Sequence, residues 1–373
     1  MKLSELKLHN FRNYGQADVR FAPGINVFIG NNAQGKTNLL ESVYVLALAR
    51  SHRTHNNRDL IKWTQDTAQV KGLVKKRTGD LHLELDLGRH GKRAKVNYLR
   101  QARLSSYVGQ FNVVLFSPDD LSIVKGAPRI RRHFMNTEFS QMSNRYMYNV
   151  AQYKDILQQR NHYLKSLHYH HASDLVYLSV LSDQLAAFGA EIIDQRIRLL
   201  KRLEKWARKI DREISLATEH LHLKYETALK SDQTGSVKEI YGELKRLYAN
   251  ARGREIRKGT TALGPHRDDL RFIINGKDVQ TFGSQGQQRT SALAIKLAEI
   301  DLMKEVTGEY PVLLLDDVLS ELDNKRQTHL LRAIQNKVQT FITTTNLSGV
   351  ARNLIQDPKI FRITHGTIRV SDE

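Results

Sequence analysis

The chain has 373 residues, 40% of them hydrophobic, no cysteine and a formal net charge of +19. That excludes disulfides, thiolate zinc sites and cysteine nucleophiles and fits a reducing cytoplasm; no apolar run approaches the roughly 18 residues of a membrane span, and Met1 to Leu6 lacks a signal-peptide core, so a cytoplasmic protein of two lobes is expected. The charge points to a polyanion, most often nucleic acid and sometimes an anionic membrane surface, with a basic surface kept for solubility as the plain alternative.

Residues 1–50 read strand, turn, strand, loop, helix. The apolar run Ile25-Asn26-Val27-Phe28-Ile29 leads into Gly30-Asn31-Asn32-Ala33-Gln34-Gly35-Lys36-Thr37. Gly30 and Gly35 let the backbone turn its N–H groups onto phosphate oxygens. Lys36 reaches the β- and γ-phosphates, and the Thr37 hydroxyl ligates Mg²⁺. The helix that follows points its positive end at the same anion. An ordinary Gly-rich turn is the competing reading, and the strand before and helix after weigh against it.

Residues 66–116 read as a β-meander. Leu81-His82-Leu83-Glu84-Leu85-Asp86-Leu87 alternates as a half-buried strand does, with Gly88-Arg89-His90-Gly91 as its turn. Val113-Val114-Leu115-Phe116 is stopped by Ser117-Pro118-Asp119-Asp120, which can cap a helix. From Arg129 to Ala251 the pattern is helical: Leu185, Phe188, Ile192, Leu199, Leu203, Trp206, Ile210 and Ile214 mark one face, and Arg196, Arg198 and Lys201 fall on the basic remainder. Trp63 and Trp206 read as core rather than stacking platforms. Near Gly264 the chain returns to strands, with Asn275-Gly276 as a hairpin turn.

A phosphate loop needs an acid at the end of an apolar strand. Val312-Leu313-Leu314-Leu315-Asp316-Asp317 supplies two. Asp316 would organise Mg²⁺, and Asp317 would orient or deprotonate the attacking water. Nearly 280 residues separate Thr37 from Asp316, so other elements must be inserted into one core. Before that strand, Ser284-Gln285-Gly286-Gln287 opens a helix and forms a second phosphate-contacting device. One nucleotide rarely needs two such devices, so the Ser284 segment is expected to serve a second subunit. Ser320-Glu321-Leu322-Asp323 can lie along the same interface, and Phe341 to Asn346 is a strand placed to sense the γ-phosphate.

These motifs, in this order, resemble the ABC-type ATPases and, within them, the RecF family of bacterial recombination and replication-repair proteins. The resemblance runs over nearly the whole chain: Leu8-His9-Asn10-Phe11-Arg12-Asn13-Tyr14, Gly30 to Glu41, Ser51-His52-Arg53-Thr54, Phe116-Ser117-Pro118, Gly264-Pro265-His266-Arg267-Asp268-Asp269-Leu270, Phe282 to Arg289 and Leu313 to Asp323. It implies an α/β fold, an ABC-type head with an N-terminal β-meander and an inserted helical second lobe. Residues 1–120 and 255–373 would form the head and 121–254 the insertion. It implies ATP and Mg²⁺, an ATP-dependent homodimer, and binding to double-stranded and gapped DNA. RecR, RecO and RecA are the implied partners, in DNA repair and the SOS response, with no membrane. Two departures from the wider pattern matter. Asp317 stands where a longer Glu is usual, so slow, DNA-stimulated hydrolysis is expected. Thr345-Asn346 replaces the transporters' switch His, and no clear glutamine loop is present. A transporter-energising or scaffold subunit, with ATP mainly structural, is the rival reading.

Arg12 is placed with the nucleotide-binding residues, with a structural salt bridge as its alternative. Arg53, Arg129, Arg131 and Arg132 are the DNA candidates. His266 divides equally between function and a buried turn. His162, His168, His170 and His171 lack interleaved acids for a metal site.

Overall fold

The computed structural model describes residues 1–89, 91–229, 235–346 and 353–371. His90 of the expected turn lies outside them. The chain divides into two compact units, 1–121 with 209–218 and 289–373, and 122–208 with 219–288.

The first unit is built on apolar runs too uniform for a one-sided sheet. Val113–Phe116 and Val312–Leu315 are buried throughout, as strands covered on both faces must be. They join a six-stranded sheet in the order Thr367–Ser371, Lys359–Thr364, Ile25–Ile29, Thr340–Thr344, Val312–Asp316, Val113–Phe116. All pairs are parallel except the terminal hairpin. Val113–Phe116 thus lies in this sheet rather than closing the meander. Phe21, Phe28, Phe341 and Phe361 pack edge-on or tilted, with centroids 4.7 to 6.1 Å apart.

A second, antiparallel sheet combines the N-terminal strands Lys2–Phe11 and Tyr14–Arg20 with Thr67–Lys76, Gly79–Gly88, Gly91–Val96 and Leu99–Arg100. The alternation read at Leu81 to Leu87 holds: all four leucines are buried. The helix Lys36–Leu48 packs closely on this sheet. A Cβ on Gly72 would stand 2.3 Å from Leu46 Cδ2, so any larger residue there must displace Leu46.

In the second unit, helices Pro128–Met142, Asn144–His168 and Val237–Lys258 pack with a three-stranded sheet of Leu221–Glu226, Asp269–Ile274 and Lys277–Asp278. Asn275 and Gly276 form the expected turn, with φ of 49° and 79°. The insertion does not end at 254. Strand Asp269–Ile274 pairs with Leu221–Glu226, which ties the Gly264 segment into this unit, and the unit continues through the Ser284 segment to Gln288.

Helix Leu175–Ile214 buries Leu185, Ile192, Leu199, Leu203, Ile210 and Ile214, as its periodicity predicts. By length and composition alone it is apolar enough to cross a membrane. Leu178, Leu181 and the periodic positions named above are buried in the protein, while Leu175, Val176, Tyr177 and Val180 are exposed. Arg196 departs from the expected basic face. It is 2% exposed and donates to the Tyr146 and Tyr225 hydroxyls, Asn136 Oδ1 and the Pro265 carbonyl. Trp63, expected in the core, is exposed.

Gly264 to Asp269 anchors the buried polar groups of this unit. Gly264 has φ 114°, and a Cβ there would lie 2.5 Å from the Tyr153 hydroxyl. His266 Nδ1 meets the Tyr153 hydroxyl at 2.6 Å and its Nε2 faces the Thr261 carbonyl at 3.3 Å. Burial pushes the imidazole down to about 4, which favours the buried-turn reading of this histidine. The unfolded chain binds this proton near the usual 6.5. The stabilisation is therefore complete above that value and is lost as pH falls from 6.5 toward 4. Between pH 7 and 5 this group should remove roughly 2 kcal/mol. Urea unfolding of the chain and of His266→Gln at the two pH values should show a smaller pH dependence in the variant.

Candidate functional site

The site forms at the carboxyl ends of the parallel strands, where Ile25–Ile29 delivers loop 30–37. Gly30 runs so close to the next strand that a Cβ would stand 2.3 Å from the Ile363 carbonyl oxygen. Gly35, at φ 112°, starts helix Lys36–Leu48. The loop is held from outside. The Tyr14 hydroxyl donates to the Gly35 carbonyl at 2.9 Å, and the Gly366 N–H to the Gln34 carbonyl at 3.1 Å. The His365 N–H donates to Gln34 Oε1 at 2.7 Å. Asn31, Asn32 and Ala33 form the exposed apex, Ala33 with φ 62°.

Lys36 is 5% exposed, and its ammonium donates to the Gly30 and Asn31 carbonyls at 2.8 and 3.0 Å. The Thr37 hydroxyl donates to Asp316 Oδ1 at 3.0 Å, and the Thr343 hydroxyl to the same oxygen at 2.8 Å. Register explains the meeting, because Asp316 is the cross-strand partner of Thr343 and Thr343 that of Phe28. A hydroxyl and a carboxylate are hard oxygen donors of the kind Mg²⁺ takes together with water and phosphate. Asp317 leaves its strand at φ 52°, with its N–H on Thr343 Oγ1 at 2.9 Å. Burial pushes its carboxyl up; Lys36 opposes this and Asp316 adds to it. In the sensing strand, Thr344 and Asn346 bond to each other.

Arg12 makes the salt bridge. Its guanidinium donates Nε and Nη2 to Glu41 at 2.8 Å each, and Nη1 to the Asp59 carbonyl at 2.7 Å. Glu41 is fully buried and also accepts from Ser51. Sequence reading missed its role, yet the signal was there: an acid four residues after Thr37, on an otherwise apolar helix. Arg53 is exposed, donating to Asn38 Oδ1 at 2.9 Å and lying 3.5 Å from Glu41. Asn38 in turn donates to Asn13 Oδ1 at 2.9 Å, and Asn13 to the Gln34 carbonyl at 3.3 Å.

In the second unit, Ser284 and Gln287 cap helix Gln285–Thr307 reciprocally. The Gln287 N–H donates to Ser284 Oγ at 3.1 Å, and the Ser284 N–H to Gln287 Oε1 at 3.0 Å. Ser284 and Gln285 are exposed, while Gly286 and Gln287 are half-buried. Of the DNA candidates here, Arg129 is exposed. Arg131 is not available to a polyanion. It is 2% exposed, in a bidentate pair with Asp269 at 2.7 Å. Arg132 is half-buried and turned onto the Asp268 carbonyl at 2.8 Å. A sequence pattern of three nearby arginines does not reveal which of them point inward.

The chain matches the RecF/RecN/SMC N terminal domain family over residues 2–368. It is 60% identical over 373 residues to the DNA replication and repair protein RecF of Pediococcus pentosaceus, covering 100% of both chains. It is 61% identical to RecF of Limosilactobacillus reuteri, covering 99% of this chain and 98% of that protein. A solved structure of the recombination mediator protein RecF with ATP in the RecFOR pathway superposes with a TM-score of 0.92 at 34% identity, over 99% of this chain and 97% of the other. An Smc head domain at 15% identity shares the fold, with a TM-score of 0.57 over 100% of this chain and 97% of that one. The chain belongs to the RecF family, and its fold is that of an ABC-type ATPase head.

Glu41→Ala should destabilise the chain by about 3 kcal/mol, because it leaves Arg12 without its carboxylate. Urea unfolding reads this directly, and a loss below about 1 kcal/mol would show that the pair is not structural.

Proposed function

We propose that this chain is an ATP-dependent DNA-binding protein of replication and recombinational repair. Two copies, joined by ATP, would close as a clamp on duplex DNA near single-strand gaps. The observation that carries the reading is the convergence of Thr37 and Thr343 on Asp316 beside the buried Lys36. That arrangement suits a triphosphate with its divalent cation.

Backbone N–H groups of residues 30–37 and the Lys36 ammonium hold the phosphates. Lys36 exchanges its two carbonyl contacts for phosphate oxygens, a stronger charge-assisted bond. Thr37 and, through water, Asp316 hold Mg²⁺, which when bound neutralises charge on the β- and γ-oxygens. Asp317 orients the attacking water and takes its proton. The same burial that raises its affinity for a proton makes it a better base. Ser284, Gln285, Gly286 and Gln287 of a second copy close over the γ-phosphate with the positive end of their helix. ATP shifts the equilibrium only by binding the pair more tightly than the single chain. Exposed cations, Arg53 and Arg129 among them, meet the DNA backbone, so binding is poor in sequence preference and steep in salt. RecR, RecO and RecA are the partners with which such a clamp would act, and the location is cytoplasmic.

Solution mass with and without ATP and Mg²⁺ tests the reading. A monomer should become a dimer, and Lys36→Arg should not; dimerisation unchanged by that substitution would sink the clamp. Asp317→Asn should still dimerise with ATP while hydrolysis falls about 100- to 10,000-fold. The rate should rise with pH through the Asp317 ionisation, with its acid limb above the usual aspartate range because burial raises that carboxyl.

A further inference from the structure

Thr343 lies near the end of strand Thr340–Thr344 and is fully buried. Its one hydroxyl proton goes to Asp316 Oδ1 at 2.8 Å, since the Leu315 carbonyl stands at a longer 3.5 Å. With the proton so placed, the hydroxyl can meet a further group only as an acceptor. That group is the Asp317 N–H, at 2.9 Å. The sense of the chain is therefore set: Asp317 amide to Thr343 hydroxyl to Asp316 carboxylate. Hydrogen bonds linked in one sense polarise and strengthen one another.

The two acids gain different things from this hydroxyl. Asp316 takes both of its hydroxyl bonds, from Thr37 and Thr343, on Oδ1. Its Oδ2 is left without a hydrogen bond among the described residues. Asp317 gains a fixed main chain. Its φ of 52° is left-handed, which is unfavourable for a residue that carries a Cβ. Thr343 holds its N–H, and Ser320 Oγ donates to its carbonyl at 2.7 Å. Val318 and Leu319, which follow, are buried. Nothing among the described residues donates to the Asp317 carboxyl itself, so the main chain aims it.

We propose that Thr343 is a positioning residue for hydrolysis. Its hydroxyl holds Asp317 in the left-handed turn that points the carboxylate at the attacking water. It also ties that aim to the same Asp316 oxygen that Thr37 binds. This role rests on the reading of Asp317 as the base and adds the group that orients it. Threonine suits the position because branching at Cβ limits χ1 and keeps the hydroxyl turned to Asp316.

Thr343→Val keeps the shape and removes the hydroxyl; Thr343→Ser keeps the hydroxyl. Steady-state hydrolysis, binding of a fluorescent ATP analogue and amide hydrogen exchange of the nucleotide-free chain are measured on both. Thr343→Val should lower kcat about 10- to 100-fold with affinity for the analogue unchanged, and Thr343→Ser should recover most of the loss. The Asp317 amide should exchange slowly in the wild type and in Thr343→Ser and faster in Thr343→Val, which reads the bond with no nucleotide present. In the Asp317→Asn background Thr343→Val should cost little more, because no base is left to aim; a purely structural role would multiply the two losses. Should Thr343→Val unfold, Thr343→Cys takes its place, since a thiol is a weak donor and acceptor, and the same loss beside an active Thr343→Ser is expected. Wild-type kcat without the hydroxyl, no recovery in Thr343→Ser, or multiplied losses in the double variant would overturn the proposal. If Asp317→Asn alone hydrolyses ATP at the wild-type rate, the base reading fails and takes the positioning role with it. A slow Asp317→Asn beside a fast Thr343→Val sinks the positioning role alone.

Discussion

One carboxylate oxygen, Asp316 Oδ1, accepts from two hydroxyls on two other elements, Thr37 and Thr343. The architecture of the first unit follows from keeping those three residues together. Thr343 must sit one strand away from both the phosphate loop and the acid, so Thr340–Thr344 lies between Ile25–Ile29 and Val312–Asp316. A one-residue slip in either pairing would turn the hydroxyl or the carboxylate to the other face. The buried apolar residues of these strands hold the register, and the two-sided cover excludes water from it. The chain can therefore leave the sheet after Phe116 and return at Val312 without loss of the site.

The second unit uses a different kind of constraint. Its fixed points are buried charges: Arg131 with Asp269, Arg160 with Glu255, and Arg196 among phenols and carbonyls. Taking such ions out of water is unfavourable, and a pair left without one partner costs about 3–5 kcal/mol. Bidentate geometry offsets the penalty and accepts only one arrangement of helices and strands. Gly264 to Asp269 supplies partners to most of these groups. The motif is thereby part of the framework of the unit that holds the Ser284 helix start.

Charge is divided in the same way. The +19 excess is not spread evenly in consequence, because several arginines are consumed inside. Arg12 is fixed on Glu41, which lies one helical turn beyond Thr37 on the same helix. Arg53 touches Asn38 and Glu41 while staying exposed. Exposed cations without a carboxylate partner among the described residues are the ones with field to offer a polyanion.

The sequence by itself determined the local chemistry. A glycine-spaced loop ending in Lys-Thr between an apolar strand and a helix points to a phosphate site, and the ends of apolar runs place Asp316 and Asp317. Alternation located Leu81 to Leu87, and spacing located the faces of Leu175–Ile214, since strand and helix periods depend only on neighbouring residues. The direction of polar side chains was decided by tertiary structure. Arg131 and Arg196 turned inward because their partners lie far along the chain, at Asp269 and Pro265, and the turn that carries Trp63 leaves its indole outside. The end of the insertion was decided there too. Strand Asp269–Ile274 joins Leu221–Glu226 through main-chain hydrogen bonds that residues of almost any type can make, so no residue pattern announces the pairing.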